Sequence, residues 1–151
     1  MIRILAIGKK HQPWVEPGIN RYQVRLQKPW NISWQLVPHS NYDNDRARDE
    51  ESTRLIGYIK DSDYVILLDE VGTNLSSPKL STKLQAAMSA GQNLTLVIGG
   101  AYGVNQSLRQ RSDLVWSLSK LVFPHQLVRL IVAEQLYRAQ EISKNSAYHH
   151  L

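Results

Sequence analysis

Three glycines follow the most hydrophobic strand that the sequence predicts, at residues 94–98. Gly99, Gly100 and Gly103 form the pattern GGxxG. Glycine can adopt positive φ and lets a ligand approach the backbone closely, and ligands of open α/β sheets bind beyond the carboxyl ends of strands. The spacing differs from the dinucleotide pattern GxGxxG, so NAD is not expected. This turn is a candidate ligand cradle, and a plain tight turn is the alternative.

The segment SLSKLVFPH, residues 117–125, is a second candidate for ligand contact. Pro124 has no backbone N–H and biases Phe123 towards extended geometry. The peptide groups before the proline are then free to bond something other than a neighbouring strand, and a purine ring could use them as donors and acceptors. His125 is expected to cap the following helix or to make a structural hydrogen bond, with acid–base catalysis as the alternative.

Two adjacent carboxylates, Asp69 and Glu70, follow a predicted strand at residues 64–68. Neighbouring side chains on an extended chain point in opposite directions, so a shared metal ion is not expected. Glu70 is instead expected in a solvated turn or as a helix-cap partner.

The chain ends in aromatic and imidazole groups, Tyr148, His149 and His150. Two adjacent histidines without an evident third ligand do not predict a metal site. Tyrosine and histidine can, however, stack on a nucleic-acid base and contact phosphate. A frayed terminus is the alternative, and on these residues alone it is favoured.

Hydrophobic spacing places these groups on alternating strands and helices. Strands are predicted at residues 2–7, 32–36, 64–68 and 94–98, and the longer helices at 14–26, 44–60, 77–90 and 125–143. The alternation favours an α/β fold with a mostly parallel sheet and helices on both faces. No linker or repeat divides residues 1–151, so a single domain is expected.

The final predicted helix, residues 125–143, is apolar around most of its circumference. A helix of that kind must be buried on most sides. One helix at the end of a small domain seldom achieves this alone, so we expect it to pack against a second copy of the chain. The alternative is a central helix within one domain.

Composition narrows the class of protein further. The net charge of the 151 residues is +5, and residues 71–151 supply all of it, with eight Lys or Arg against three Asp or Glu. A basic half favours a polyanionic partner, with an ordinary solvated surface as an equal alternative. The absence of cysteine excludes disulfides and thiolate metal sites. Neither a signal peptide nor a membrane span is evident, which predicts a cytoplasmic protein without membrane contact.

Several blocks taken together resemble one known family. They are LLDEVG at 67–72, LVIGGAYGV at 96–104, WSLSKLVFPHQLVR at 116–129, AEQLYRA at 133–139 and the terminal YHH. In this order they resemble the ribosomal large-subunit methyltransferase H family of the SPOUT class. The resemblance covers nearly the whole chain, and FPHQLVR followed by AEQLYRA is its most specific part.

The resemblance implies a C-terminal trefoil knot, a homodimer and S-adenosylmethionine as methyl donor. It implies N3 of a pseudouridine in 23S rRNA, on the assembled ribosome, as the acceptor. By position it assigns the donor pocket to Leu68, Gly100, Ser119, Lys120, Leu121, Val122, Phe123 and Pro124. The family tail helps to form the RNA site, so His149 is the candidate base and Tyr148 the residue that orients or stacks on the acceptor. The candidates for RNA contact are Arg109, Arg111, Lys120, Arg129 and His150.

Some positions depart from the family pattern. Thr73 stands where lysine is frequent, Val122 where threonine is usual, Ala147 replaces a proline, and His150 replaces an arginine or lysine. These changes affect the expected affinity more than the reaction type. They also keep open a non-catalytic rRNA-binding or ribosome-assembly module of the same fold. A third possibility is an α/β enzyme that uses another nucleotide-like ligand.

Overall fold

The computed structural model describes residues 1–150. Five strands alternate with five helices: β1 (Ile2–Ile7), α1 (Glu16–Gln23), β2 (Ile32–Val37), α2 (Asn44–Gly57), β3 (Asp63–Asn74), α3 (Ser77–Ser89), β4 (Asn93–Ile98), α4 (Gln106–Arg111), β5 (Leu114–Ser117) and α5 (His125–Ser143).

The five strands form one parallel sheet in the order β2-β1-β4-β3-β5. Because every strand runs in the same direction, all five end at one side, which we call the carboxyl edge. The segments that follow the strands therefore meet at this edge, as expected for the ligand-binding side of an open α/β sheet.

Helices cover both faces of the sheet. Side chains alternate along a strand, so Ile4 of β1 packs in the core beneath α3 and α5, whereas Leu5 packs in the core beneath α2 and α4. Helix α1 joins the first layer through its contact with α5. The predicted α/β fold, with a mostly parallel sheet covered on both faces, is confirmed.

Strand β3 is longer than the sequence predicts. It continues past Leu68 and, after an irregularity in register, pairs again with β5 through Thr73 and Asn74. The charged pair and the glycine in this stretch resemble a turn in the sequence, but a Cβ on Gly72 would lie only 2.5 Å from the Val115 carbonyl oxygen, so a glycine lets the backbones approach. Asp69 and Glu70 therefore lie within β3, which corrects their expected position beyond its end.

Helix α5 has the predicted bounds, and it packs against α1 and α3 of its own chain. One stripe of the helix remains partly exposed and includes Leu127, Ile131, Glu134 and Arg138. Within one chain, α5 thus occupies the central position given above as the alternative. No helix in residues 1–150 combines the length and apolar character needed to cross a membrane.

Candidate active site

A cleft of about 1310 Å³ opens at the carboxyl edge. Its walls come from β3, from the turn after β4, from the loop after β5 and from the start of α5. It contains seven of the eight residues assigned to the donor pocket: Leu68, Gly100, Ser119, Leu121, Val122, Phe123 and Pro124. The eighth, Lys120, is exposed and is not among the lining residues. Three distant stretches of sequence are thus brought to one place.

The glycine turn after β4 is shaped by close packing at one position. The Gly103 N–H donates to the Gly100 carbonyl oxygen over 3.1 Å, which closes the turn. A Cβ on Gly100 would lie 2.6 Å from Glu51 Oε1 and 3.1 Å from Ile7 Cγ2. Only glycine fits there without displacing its neighbours, so the turn keeps its backbone open to the cleft.

The loop after β5 presents unpaired peptide groups. Ser117 Oγ donates to the Ser119 carbonyl over 2.9 Å, and the Leu121 N–H donates to Ser119 Oγ over 3.0 Å. Within residues 1–150, the peptide groups of Val122 and Phe123 make no hydrogen bond to other protein groups. They are therefore available to a ligand, as the proline at position 124 predicts.

The cleft also contains an ion pair. Arg109 Nε and Nη2 donate to Asp69 Oδ2 over 3.1 and 2.8 Å, and the Val71 N–H donates to Asp69 Oδ1. The Asp69 side chain is only 8% exposed, so its charge requires such partners. Sequence reasoning missed this pair because 40 positions separate the two residues. The predicted RNA-contacting Arg109 therefore already neutralises a carboxylate of the cleft wall.

Behind the glycine turn lies a second acidic residue that the sequence did not reveal. Glu51 is buried on α2, and its Oε2 accepts a hydrogen bond from the Ser40 N–H over 3.0 Å. Its other oxygen, Oε1, is buried without a partner. The sequence of α2 is highly charged, which is typical of a surface helix, and nothing in it distinguishes this carboxylate from its solvated neighbours.

The C-terminal tail folds back onto the last turns of α5. Tyr148 Oη donates to Glu134 Oε1 over 3.3 Å, and Arg138 Nη1 lies 3.1 Å from His149 Nδ1. The Tyr148 ring also meets that of Tyr137 edge-on at 4.8 Å. Burial, followed by the negative charge of Glu134, raises the pKa of Tyr148 to about 12, so its hydroxyl stays protonated at neutral pH.

The tail and the cleft are separate within one chain. His125 and Val128 at the start of α5 line the cleft, whereas Arg138 holds the tail ten residues further along, about 15 Å at the helical rise. Neither Tyr148 nor His149 lines the cleft. His150 is exposed beside them. Across residues 1–150, no three His, Asp or Glu side chains are grouped to hold a metal ion.

Two of the other predicted RNA-contacting arginines bind protein carbonyls. Arg129 is 0% exposed, and its guanidinium donates to the carbonyls of Ile7 and Lys10. Its burial contradicts the predicted phosphate contact and gives it a structural role instead. Arg111 donates to the carbonyls of Lys60, just before β3, and of Asp63, its first residue, at the edge of the sheet opposite the cleft.

Comparison with known proteins identifies the family. A family profile described as "Predicted SPOUT methyltransferase" matches residues 1–149. The chain belongs to the SPOUT methyltransferase family. The chain is 38% identical to ribosomal RNA large subunit methyltransferase H of Christiangramia forsetii, and the alignment covers 99% of this chain and 98% of that protein. Proteins of the same name from Thioalkalivibrio sulfidiphilus and Dichelobacter nodosus are 37% and 36% identical, each covering 98% of this chain and 97% of the relative.

Membership of the SPOUT family confirms the resemblance carried by the sequence blocks. The match extends over both the cleft and the start of the tail, since it reaches residue 149. The knot stays a prediction of the family resemblance.

Proposed function

We propose that this SPOUT protein transfers a methyl group from S-adenosylmethionine to N3 of a pseudouridine in 23S rRNA on the assembled ribosome. The names of its full-length relatives support rRNA as the substrate. The observation that carries the proposal is the convergence of three stretches, from β3, β4 and β5, on one cleft at the carboxyl edge.

The chemistry of the cleft fits the proposed donor. The side chains of Leu68 and Leu121 offer apolar contact to a purine ring, and the free peptide groups of Val122 and Phe123 offer donors and acceptors for its edge. Beyond the Asp69–Arg109 pair, the lining includes the exposed carboxylate of Glu70, which suits the ammonium group at the amino-acid end of the donor. The absence of a side chain at Gly100 leaves backbone surface for close contact.

The protein's task in such a reaction is mainly positioning. The sulfonium of the bound donor already activates the methyl group, so the cleft must hold that carbon in line with the acceptor nitrogen. The weakly acidic proton on N3 must also leave. His149 is the proposed base and Tyr148 the residue that orients or stacks on the acceptor. Tyr148 would act as a hydrogen-bond donor rather than as a phenolate, since a phenol is protonated at neutral pH.

The base role requires the tail to leave its place on α5. When Arg138 donates to Nδ1, a neutral His149 ring carries its proton on Nε2 and has no free lone pair for a base. Movement of the tail away from Arg138 would free that lone pair. Transfer of the tail to the cleft of a second chain would do this and would also span the separation between tail and cleft.

We therefore include a homodimer in the proposal. The partly exposed stripe on α5 supplies an apolar surface through Leu127 and Ile131. Beside it, α1 and α5 form a groove of about 340 Å³ whose lining includes Gly18 and Tyr22. A second copy that covered this surface would bury the remaining apolar side of α5, as its sequence predicts. Of the predicted cationic contacts, Arg109, Arg111, Lys120 and His150 remain proposed contacts to the ribosome.

Calorimetry with S-adenosylmethionine, followed by methyl transfer to ribosomes, tests the proposal. We expect one donor to bind per chain, and transfer to ribosomes that carry the pseudouridine to exceed transfer to ribosomes with uridine at that position. Ribosome binding without donor binding would instead indicate the non-catalytic module. Displacement of bound donor by ATP or NAD at comparable concentration would indicate the enzyme with another nucleotide-like ligand.

A further inference from the structure

The segment between β1 and α1, residues 8–14, exposes a cationic and aromatic surface; we call it the β1–α1 loop. Lys9 and Lys10 are exposed and make no ion pair within residues 1–150. Trp14 is 58% exposed, whereas Trp30 and Trp116 are 5% and 3% exposed in the core. An indole this exposed contributes little to the core and stays available to a binding partner.

The backbone of this loop is fixed from below by α5. Arg129 donates to the carbonyls of Ile7 and Lys10 over 2.7 and 2.9 Å, and it lies 3.2 Å from His11 Nδ1. Gln126 adds two bonds, because its Oε1 accepts from the Gln12 N–H and its Nε2 donates to the Lys10 carbonyl. Both clamping side chains are buried.

Burial of the Arg129 guanidinium beneath the loop costs free energy, and hydrogen bonds to the backbone must offset that cost. A buried guanidinium is costly unless acceptors surround it, and here the acceptors are the carbonyls of Ile7, at the end of β1, and of Lys10, in the loop. Burial and the nearby Arg129 charge lower the pKa of His11, which keeps the ring neutral and able to accept from Arg129. Gly8 completes the arrangement, since its φ is +120° and a Cβ there would lie 2.8 Å from Arg129 Nη2.

A fixed backbone lets the exposed side chains bind without an ordering cost for the loop. The loop also lies on the same side of the molecule as the cleft. It follows β1, so it stands at the carboxyl edge together with the cleft. Arg129, which holds the loop, lies one helical turn beyond His125, which lines the cleft.

We propose that the β1–α1 loop binds the RNA backbone beside the cleft, with Lys9 and Lys10 neutralising phosphates and Trp14 stacking on an unpaired base. Ammonium groups on a fixed loop supply the electrostatic contact that phosphate requires, and an exposed indole is a stacking platform for single-stranded RNA. This inference rests on the proposed function in one respect, since it takes RNA to be the substrate.

The first test is the salt dependence of ribosome binding by a Lys9→Gln/Lys10→Gln protein. Each phosphate contact contributes about 0.7 to 0.9 to the slope of log K against log salt concentration. We therefore expect the double variant to reduce that slope by about 1.4 to 1.8. Binding is measured with intact ribosomes at fixed magnesium concentration, so that only the monovalent salt varies.

The matched control is Lys28→Gln/Lys83→Gln, which removes the same charge from exposed positions before β2 and on α3, outside the loop. The phosphate contact is wrong if the loop variant keeps the wild-type salt slope. It is also wrong if the control reduces that slope by the same amount. Donor binding by calorimetry should stay unchanged in both proteins. A wild-type protein that binds ribosomes through the loop but binds no donor would refute the proposed methyl transfer and leave the loop inference intact.

Trp14 is tested by Trp14→Ala and Trp14→Phe. Stacking is worth about 1–3 kcal/mol per base by alanine substitution, so we expect Trp14→Ala to weaken ribosome binding by about 5- to 150-fold with little change in slope. Phenylalanine should restore much of the loss. If Trp14→Ala instead changes the oligomeric mass and leaves ribosome binding intact, the indole belongs to a contact between chains and the stacking role is wrong.

Discussion

At the scale of single residues, the shape of the cleft depends on the absence of a side chain at Gly100. Its backbone packs between a buried carboxylate, Glu51, and the side chain of Ile7, and both would obstruct a Cβ. The constraint is one of space, because the φ of Gly100 lies outside the left-handed region. A change at this position should therefore alter the shape of the turn before it alters the fold.

We predict that Gly100→Ala lowers the affinity for S-adenosylmethionine at least tenfold, a cost of about 1.4 kcal/mol or more. The added methyl group must displace the turn, Glu51 or Ile7, and the first of these lines the cleft. Calorimetry measures the affinity, and circular dichroism establishes that the variant is folded. The control is Gly57→Ala at the end of α2, where a Cβ meets nothing within 4 Å. A folded Gly100→Ala protein with wild-type affinity would contradict the prediction.

At the scale of elements, α5 has two separate tasks along its length. Its first half reaches under the carboxyl edge, where Arg129 and Gln126 hold the β1–α1 loop. Its second half holds the tail through Glu134 and Arg138. The two arginines therefore have the same charge on the same helix but different environments, since Arg129 is fully buried and Arg138 is partly exposed.

This contrast predicts different costs for the same substitution. Arg129→Met should lower the free energy of unfolding by about 2–4 kcal/mol, because the carbonyls of Ile7 and Lys10 lose a charged donor. Arg138→Met should cost less than about 1 kcal/mol, since its i,i+4 pair with Glu134 is partly exposed to solvent. Urea unfolding of both variants measures the difference. Equal costs would mean that the clamp on the loop contributes nothing to stability.

The same helix illustrates what sequence could predict. The bounds of α5, the parallel sheet and most of the residues around the cleft follow from periodicity and from specific sequence blocks. Arg129 lies in one of those blocks, but RNA contact was the wrong prediction for it. The sequence pattern around a basic residue does not show whether its side chain is buried. The buried Glu51 and the Asp69–Arg109 pair were missed for a related reason. Contacts between distant charged residues depend on tertiary packing, which spacing does not encode.

At the scale of the whole molecule, one chain supplies a cleft and a tail that do not meet. The cleft lies at the start of α5, and the tail is held about 15 Å along that helix. A two-fold dimer built on the partly exposed stripe of α5 could exchange tails, so that each active site combines parts of both chains. The 17.3 kDa chain should then sediment at about twice its mass.

Complementation between two impaired variants tests this arrangement. One chain carries Gly100→Ala, which damages the cleft, and the other carries Tyr148→Ala/His149→Ala, which damages the tail. With the donor held below its wild-type Kd, each homodimer should methylate ribosomes far more slowly than the wild-type protein. A heterodimer, purified through two different affinity tags after co-expression, pairs one intact cleft with the one intact tail of the other chain. It should therefore recover about half of the wild-type activity, because one of its two sites is restored. If each cleft used the tail of its own chain, every site in the heterodimer would keep one damaged part, and the mixture would stay as slow as its parents.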